Sequence, residues 1–68
     1  MEKSLELLCN NMKKLRKIKE LTIAEAAFGL GISASYLSEV ENHKKAPSFD
    51  IIDRVAIFYS VEVYELFV

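Results

Sequence analysis

The chain has one cysteine, one proline, two glycines and no tryptophan among its 68 residues. A lone Cys9 closes no internal disulfide. A structural zinc site normally takes about four ligands, and Cys9 and His43 are the only cysteine and histidine, so neither metal nor cofactor is expected. Cys9 reads as a small apolar residue on a helix. No apolar run approaches the roughly 20 residues that cross a bilayer. Glu2 and Glu6 stand where a signal peptide would carry its basic and apolar regions, which makes the cytoplasm the expected compartment. Excess charge is also lacking: nine Lys and Arg face ten Asp and Glu, for a formal net charge of −1. No nucleophile–base pair or convergent acid cluster is visible, and His43 stands alone in a basic loop. An enzyme is therefore not expected.

What the chain does have is apolar periodicity. Hydrophobic residues make up 51%, enough for the core of one small domain, residues 1–68. A core this size is marginal alone, so association would help. Leu5, Leu8, Met12 and Leu15 recur at spacings of three and four, with Leu7 and Ile18 beside them. They predict a helix over about 4–19 with Ser4 as its N-cap. Thr22-Ile23-Ala24-Glu25 reads as a capping box, opening a helix over about 23–29 that ends at Gly29-Leu30-Gly31. Ser33 caps a helix to about residue 42 whose buried side carries Leu37 and Val40. Ser48 begins a fourth helix, about 48–58, with Phe49, Ile52, Val55 and Ala56 facing inward and Asp50 at its positive end. A short fifth helix is expected at 62–67. Residues 57–64 have some strand character, but one strand has no partner here. The expected fold class is all-α.

The stretch from Thr22 to Ser48 carries the functional signal. Two short helices meet at a tight turn. Ala27 allows a close crossing, Gly31 permits the turn, and Ile32, Leu37 and Val40 fix the second helix against the first. Its other side is left free, as in a helix-turn-helix. The charges are segregated to match: Lys13, Lys14, Arg16, Lys17 and Lys19 cluster in one segment and Lys44 and Lys45 in another.

Leu21-Thr22, Glu25-Ala26-Ala27, Gly31-Ile32-Ser33, Ser35-Tyr36-Leu37-Ser38, Val40-Glu41-Asn42, Lys44-Lys45 and Pro47-Ser48 form an ordered set. With Val55-Ala56 and the run from Val61 to Phe67, the set resembles the Cro/Xre-type, lambda-repressor-like helix-turn-helix family over roughly residues 11–67. The resemblance implies a five-helix DNA-binding domain of a prokaryotic or phage transcription regulator, a repressor, working as a homodimer on double-stranded DNA with a palindromic operator. It implies nucleoid association and no small-molecule ligand. It makes Ala34, Ser35, Ser38 and Glu39 the base-facing positions of the recognition helix. Alanine offers a methyl to thymine, serine bonds either base type, and Glu39 accepts from cytosine or stands as a plain exposed charge.

Backbone contacts are expected from Thr22, Ile23, Ser33, Tyr36, Asn42, Lys44 and Lys45. Helix N-termini offer amides to phosphate. The lysines either meet phosphate or solubilise the loop, and Tyr36 either donates to phosphate or packs on the helix beneath. Ile23 departs from the glutamine common at this place in the family and can only pack on a thymine methyl or a sugar. His43 departs from glycine and must take up the helix-ending conformation at some strain. By resemblance, Arg16 and Glu41 form a structural ion pair.

Tyr59, Val61, Val63, Tyr64, Phe67 and Val68 exceed what one small core covers, and Tyr64 and Val68 are the expected dimer contacts. The competing reading is a protein-interaction module of the same fold, antitoxin- or adaptor-like, with weak or no DNA binding. Ile23, Glu39, the small recognition residues and the net charge of −1 favour it.

Overall fold

Among the described residues, three of the four α-helices begin at a hydroxyl. The computed structural model describes residues 2–68: α1 (Lys3–Ile18), α2 (Ile23–Leu30), α3 (Ala34–Glu41), α4 (Phe49–Tyr59) and a 3₁₀ helix (Val63–Phe67). The fold is all-α. Thr22 Oγ1 accepts from the Glu25 amide at 3.1 Å, Ser33 Oγ from Tyr36 at 3.0 Å and Ser48 Oγ from Ile51 at 3.3 Å. Each bond satisfies an amide that has no partner inside its helix. α1 differs from expectation. Ser4 lies within it, and Glu2 occupies the N-cap without a side-chain bond. The Glu2 carbonyl accepts the Glu6 amide at 3.0 Å, and Glu6 supplies the first-turn negative charge that complements the helix dipole.

The helices also end alike. Glu20, Gly31, His43 and Ser60 all take positive φ, at 57°, 73°, 63° and 56°. In each case the next amide reaches five residues back: Leu21 to Arg16, Ile32 to Ala27, Lys44 to Glu39 and Val61 to Ala56, at 2.8–3.0 Å. This is the Schellman ending, and only one of the four uses the residue that adopts it without strain. α2 runs to Leu30, past the expected stop at Gly29. Gly29 is needed for packing instead, because a Cβ there would overlap the ring of Phe58 on α4.

α1 packs on α3 and on the 3₁₀ helix, α2 on α3 and α4, and α4 on the 3₁₀ helix. Leu8, Cys9 and Met12 of α1 meet Leu37 and Val40 of α3, Val55 of α4 and Leu66 in one core. Phe49 does not face inward: it is 88% exposed, and Ile51 is buried in that helix instead. Phe49 has the right angular phase but sits at the tip of α4, beyond the core's edge. Leu7 and Ile18, beside the α1 stripe, face solvent. Tyr59 is buried rather than part of an exposed apolar end. The expected fifth α-helix is the 3₁₀ segment. Five residues make too few i→i+4 bonds to hold an α-helix, and tighter winding still carries Leu66 fully into the core. Asn11 Nδ2 pins this segment, donating to Leu66 O at 2.8 Å and Val68 O at 3.2 Å.

Candidate nucleic-acid interface

The turn Gly31-Ile32-Ser33 sets α3 across α2, and the inner side of α3 then decides what its outer side presents. Leu37, Val40 and Glu41 are buried. Ala34 and Ser35 are exposed, and Ser38 and Glu39 are half-buried. These four side chains line one open depression, and the fifth lining residue is Ile23 from the first turn of α2. The residues expected to face bases are thus brought together. Ile23, expected against the DNA backbone, joins them while its other side packs on the core.

Around this depression the charges are already arranged. Lys45 Nζ lies 3.5 Å from Glu39 Oε1 and 6.0 Å from the centroid of the Tyr36 ring. Tyr36 is half-buried and packs against the core. Asn42 Nδ2 donates to Ser38 Oγ at 3.4 Å. His43 Nε2 stands 2.9 Å from Asn10 Oδ1, which joins the end of α3 to α1. Lys44 and Asn42 are exposed.

The N-terminus of α2 is partly occupied by its own chain. The Thr22 amide donates to Glu25 Oε1 at 2.8 Å, completing the capping box. That backbone bond, followed by the bond to the Thr22 side chain, holds the Glu25 carboxyl below its ordinary range. The first-turn amides of Ile23 and Ala24 lack intrahelical partners, but an arriving phosphate would also meet the Glu25 charge. Ser33 caps α3 without adding a charge, so the α3 end is the better anion site of the two.

Behind the recognition surface lies a buried ion pair. Arg16 Nε donates to both Glu41 oxygens, at 3.1 and 2.9 Å, and Arg16 Nη1 donates to Leu21 O at 2.8 Å. The two side chains are 12% and 3% exposed. Burial pushes the Cys9 thiol up, and the Glu41 charge pushes it further. Tyr59 is raised for the same two reasons, with Arg16 opposing. Both groups therefore stay protonated beside the pair.

Arg54 makes two further ties. Arg54 Nη1 donates to Leu30 O at 3.2 Å while Nη2 pairs with Asp50 at 3.0 Å, fastening α4 to the turn. The i,i+4 spacing of Asp50 and Arg54 was a readable signal for the ion pair. Nothing in the sequence marks the Leu30 carbonyl, the bond that Asn10 Oδ1 accepts from the His43 ring, or those that Asn11 donates to the carbonyls of Leu66 and Val68. Tyr64 and Val68 are 68% and 78% exposed. Among the described residues no three His, Cys, Asp or Glu side chains converge on a metal position. No helix among them is long and apolar enough to cross a membrane.

The family described as Helix-turn-helix matches residues 12–66. The chain is 38% identical over 52 residues to the ImmF control region 10 kDa protein of Bacillus phage phi105, covering 76% of this chain and 58% of that protein. It is 30% identical over 59 residues to the HTH-type transcriptional regulator DdrOP3 of Deinococcus deserti, covering 87% of this chain and 46% of that protein. The chain thus spans about half the length of these two curated relatives. Its fold superposes on the crystal structure of the restriction-modification controller protein C.AhdI from Aeromonas hydrophila with a TM-score of 0.84 at 30% identity, covering 93% of this chain and 96% of that one. With two helices meeting at a left-handed Gly31, an outward α3 and these relatives, the chain belongs to the helix-turn-helix family of the Cro/Xre type.

Proposed function

We propose that the chain is a sequence-specific, double-stranded-DNA-binding transcriptional regulator, a repressor, that lays α3 in the major groove. One observation carries this reading: Ala34, Ser35, Ser38 and Glu39 share an open depression while the opposite side of α3 is locked into the core. A helix held this way can enter a groove about 12 Å wide without giving up its packing. The relatives named as a transcriptional regulator and as a controller protein point the same way.

In this reading Ser33 and the α3 amides, with Thr22, Tyr36, Asn42, Lys44 and Lys45, meet the phosphates, and the Arg16–Glu41 pair holds α1 and α3 in register. Tyr64 and Val68 form the contact between two copies. Two-fold symmetry then sets two α3 helices about 34 Å apart on a palindromic operator. A cytoplasmic, nucleoid-associated regulator of the bacterial or phage kind fits this set. The five-helix description of the fold treats the 3₁₀ segment as the family's last helix.

Titrating a labelled random-sequence duplex pool against salt, then sequencing the bound fraction, tests the proposal. Binding that weakens steeply with salt and a recovered palindromic sequence support it. No binding at low ionic strength overturns it. The reading left is then the protein-interaction module, which the Glu25 charge at the α2 terminus and the exposed Phe28, Phe49 and Ile57 favour.

A further inference from the structure

We propose that Ile23 is a specificity-determining residue, with Ala34 seating the C5-methyl of a thymine while Glu39 accepts the N4–H of an adjoining cytosine. This rests on the DNA-binding reading and assigns the bases that the depression takes.

The argument is by inventory. The depression is lined by Ile23, Ala34, Ser35, Ser38 and Glu39. None of these is Arg or Lys, the side chains that bond guanine O6 and N7 most often. None is Asn or Gln, which pair with adenine N6 and N7. What remains is apolar surface from Ile23 and Ala34, two hydroxyls, and a carboxylate that only accepts when ionised. In the major groove, a methyl belongs to thymine alone among the common bases; amino donors belong to cytosine N4 and adenine N6, but adenine sets the acceptor N7 beside its donor, and that repels a carboxylate. The lining therefore matches pyrimidine edges and leaves purine edges to the hydroxyls.

Ile23 is built for a fixed position. Its side chain packs against the core on one side and lines the depression on the other. A β-branched side chain on a helix has one strongly preferred rotamer, so its outward methyl is presented without further ordering. Glu39 would ordinarily be repelled by phosphate. Lys45, 3.5 Å from its Oε1, offsets that charge and leaves the second oxygen to accept. Ser38 Oγ already accepts from Asn42, so its own hydrogen is free for a base acceptor.

The test starts from the duplex recovered by selection with the wild-type chain. Each thymine of one half-site is replaced by deoxyuridine, which removes one methyl and nothing else. At one thymine the replacement is expected to weaken binding about fourfold, the effect of one buried methyl. In Ile23→Ala the same replacement should cost clearly less, with Ala34 the one apolar contact left. Ile23→Val keeps more of the core contact and serves if the alanine variant unfolds; it should show a reduced ratio at the same thymine. Selection with Glu39→Gln should lose the cytosine preference at one position and gain adenine there. Deoxyuridine effects that are equal in wild type and both Ile23 variants overturn the proposal while leaving the DNA reading standing. An unchanged cytosine preference in Glu39→Gln does the same. Failure of the wild-type chain to select any sequence overturns the DNA reading, and this proposal with it.

Discussion

Arg16 Nε reaches Glu41 Oε2 at 2.9 Å across 25 residues of sequence, and both side chains are almost wholly enclosed. The pair joins the last turn of α1 to the last residue of α3, so the direction of α3 depends on it. A buried pair is worth little against a well-packed apolar replacement, but removing one member strands a charge. Glu41→Ala and Arg16→Ala are each expected to lower stability by about 3–5 kcal/mol. The double variant Arg16→Met, Glu41→Leu should recover most of that loss, or exceed wild type. Urea denaturation followed by circular dichroism reads all three. A double variant as unstable as the sum of the single ones would show that the two side chains act independently and that no stranded charge lies behind the single losses.

The four left-handed helix endings give substitutions of opposite sign. Ser60 holds φ 56° and ends α4 with no role for its side chain in the described bonds. Ser60→Gly removes the Cβ clash and should raise stability by about 0.5–1 kcal/mol after the entropy cost of glycine in the unfolded chain. Gly31 holds φ 73°, and a Cβ there would lie 3.2 Å from Arg54 Nη1. Gly31→Ala should therefore lose about 1–2 kcal/mol. In a domain of this size each 1 kcal/mol moves the midpoint of thermal unfolding by roughly 4–8 °C, so both shifts are measurable by melting. Equal melting temperatures for wild type and both variants would remove the strain argument.

Glu25 supplies a pH dependence whose sign is fixed. Its hydrogen bonds in the capping box exist only in the folded chain and lower its pKa from the ordinary 4.5. The folded state therefore releases this proton more readily than the unfolded state. The contribution is fully present above about pH 4.5 and is lost as pH falls through the lower folded value. Comparing wild type with Glu25→Ala by thermal melting should give a gap near neutral pH that closes at acid pH. A gap of constant size would mean the carboxylate is not held by Thr22.

How much of this was readable beforehand follows the range of each signal. Thr22, Ser33 and Ser48 were legible as caps because capping is decided within four residues. The outward set Ala34, Ser35, Ser38 and Glu39 was legible because helical phase is fixed once Leu37 and Val40 are taken as buried. Phase alone failed at Phe49: its angle matches Ala56, but the core ends before it, and a one-dimensional pattern carries no information on where a core stops. The endings at Glu20 and Ser60 were illegible because neither residue favours positive φ and the surrounding fold imposes it. Gly29 reads as punctuation but serves packing, since the ring of Phe58 that needs the space lies 29 residues away. The family position of Ile23 leaves a thymine methyl and a sugar both open, and the crossing of α2 and α3 puts it beside Ala34 and Glu39.

Cys9 should be chemically silent in the native state. It has no exposed surface, and burial and the Glu41 charge both disfavour its thiolate, the nucleophilic form. Alkylation with iodoacetamide at neutral pH should proceed only through the small fraction of chains that are open. It should speed up through the urea transition and reach the rate of a free thiol when the chain is unfolded. The Arg16→Ala variant, destabilised as above, should be labelled faster, by about tenfold for each 1.4 kcal/mol of stability lost while reclosing outpaces alkylation. Rapid labelling of the stable wild-type chain would place the Cys9 sulfur at the surface and contradict its burial in the core.

Tyr64 lies on the 3₁₀ helix with 68% of its surface exposed, and Val68 follows at 78%. Neither supports the core of its own chain, which Leu66 fills from the same segment while Asn11 holds the backbone. A charge placed at Tyr64 should therefore leave the fold intact and act only on what touches it from outside. Tyr64→Asp is expected to shift sedimentation from dimer to monomer without changing the melting profile of the monomer. DNA affinity should fall with it, because a monomer reads one half-site and loses the linkage to the second. An unchanged sedimentation profile would remove Tyr64 from the contact. Lost DNA affinity in a chain that still dimerises would instead mean that this tyrosine approaches the DNA itself.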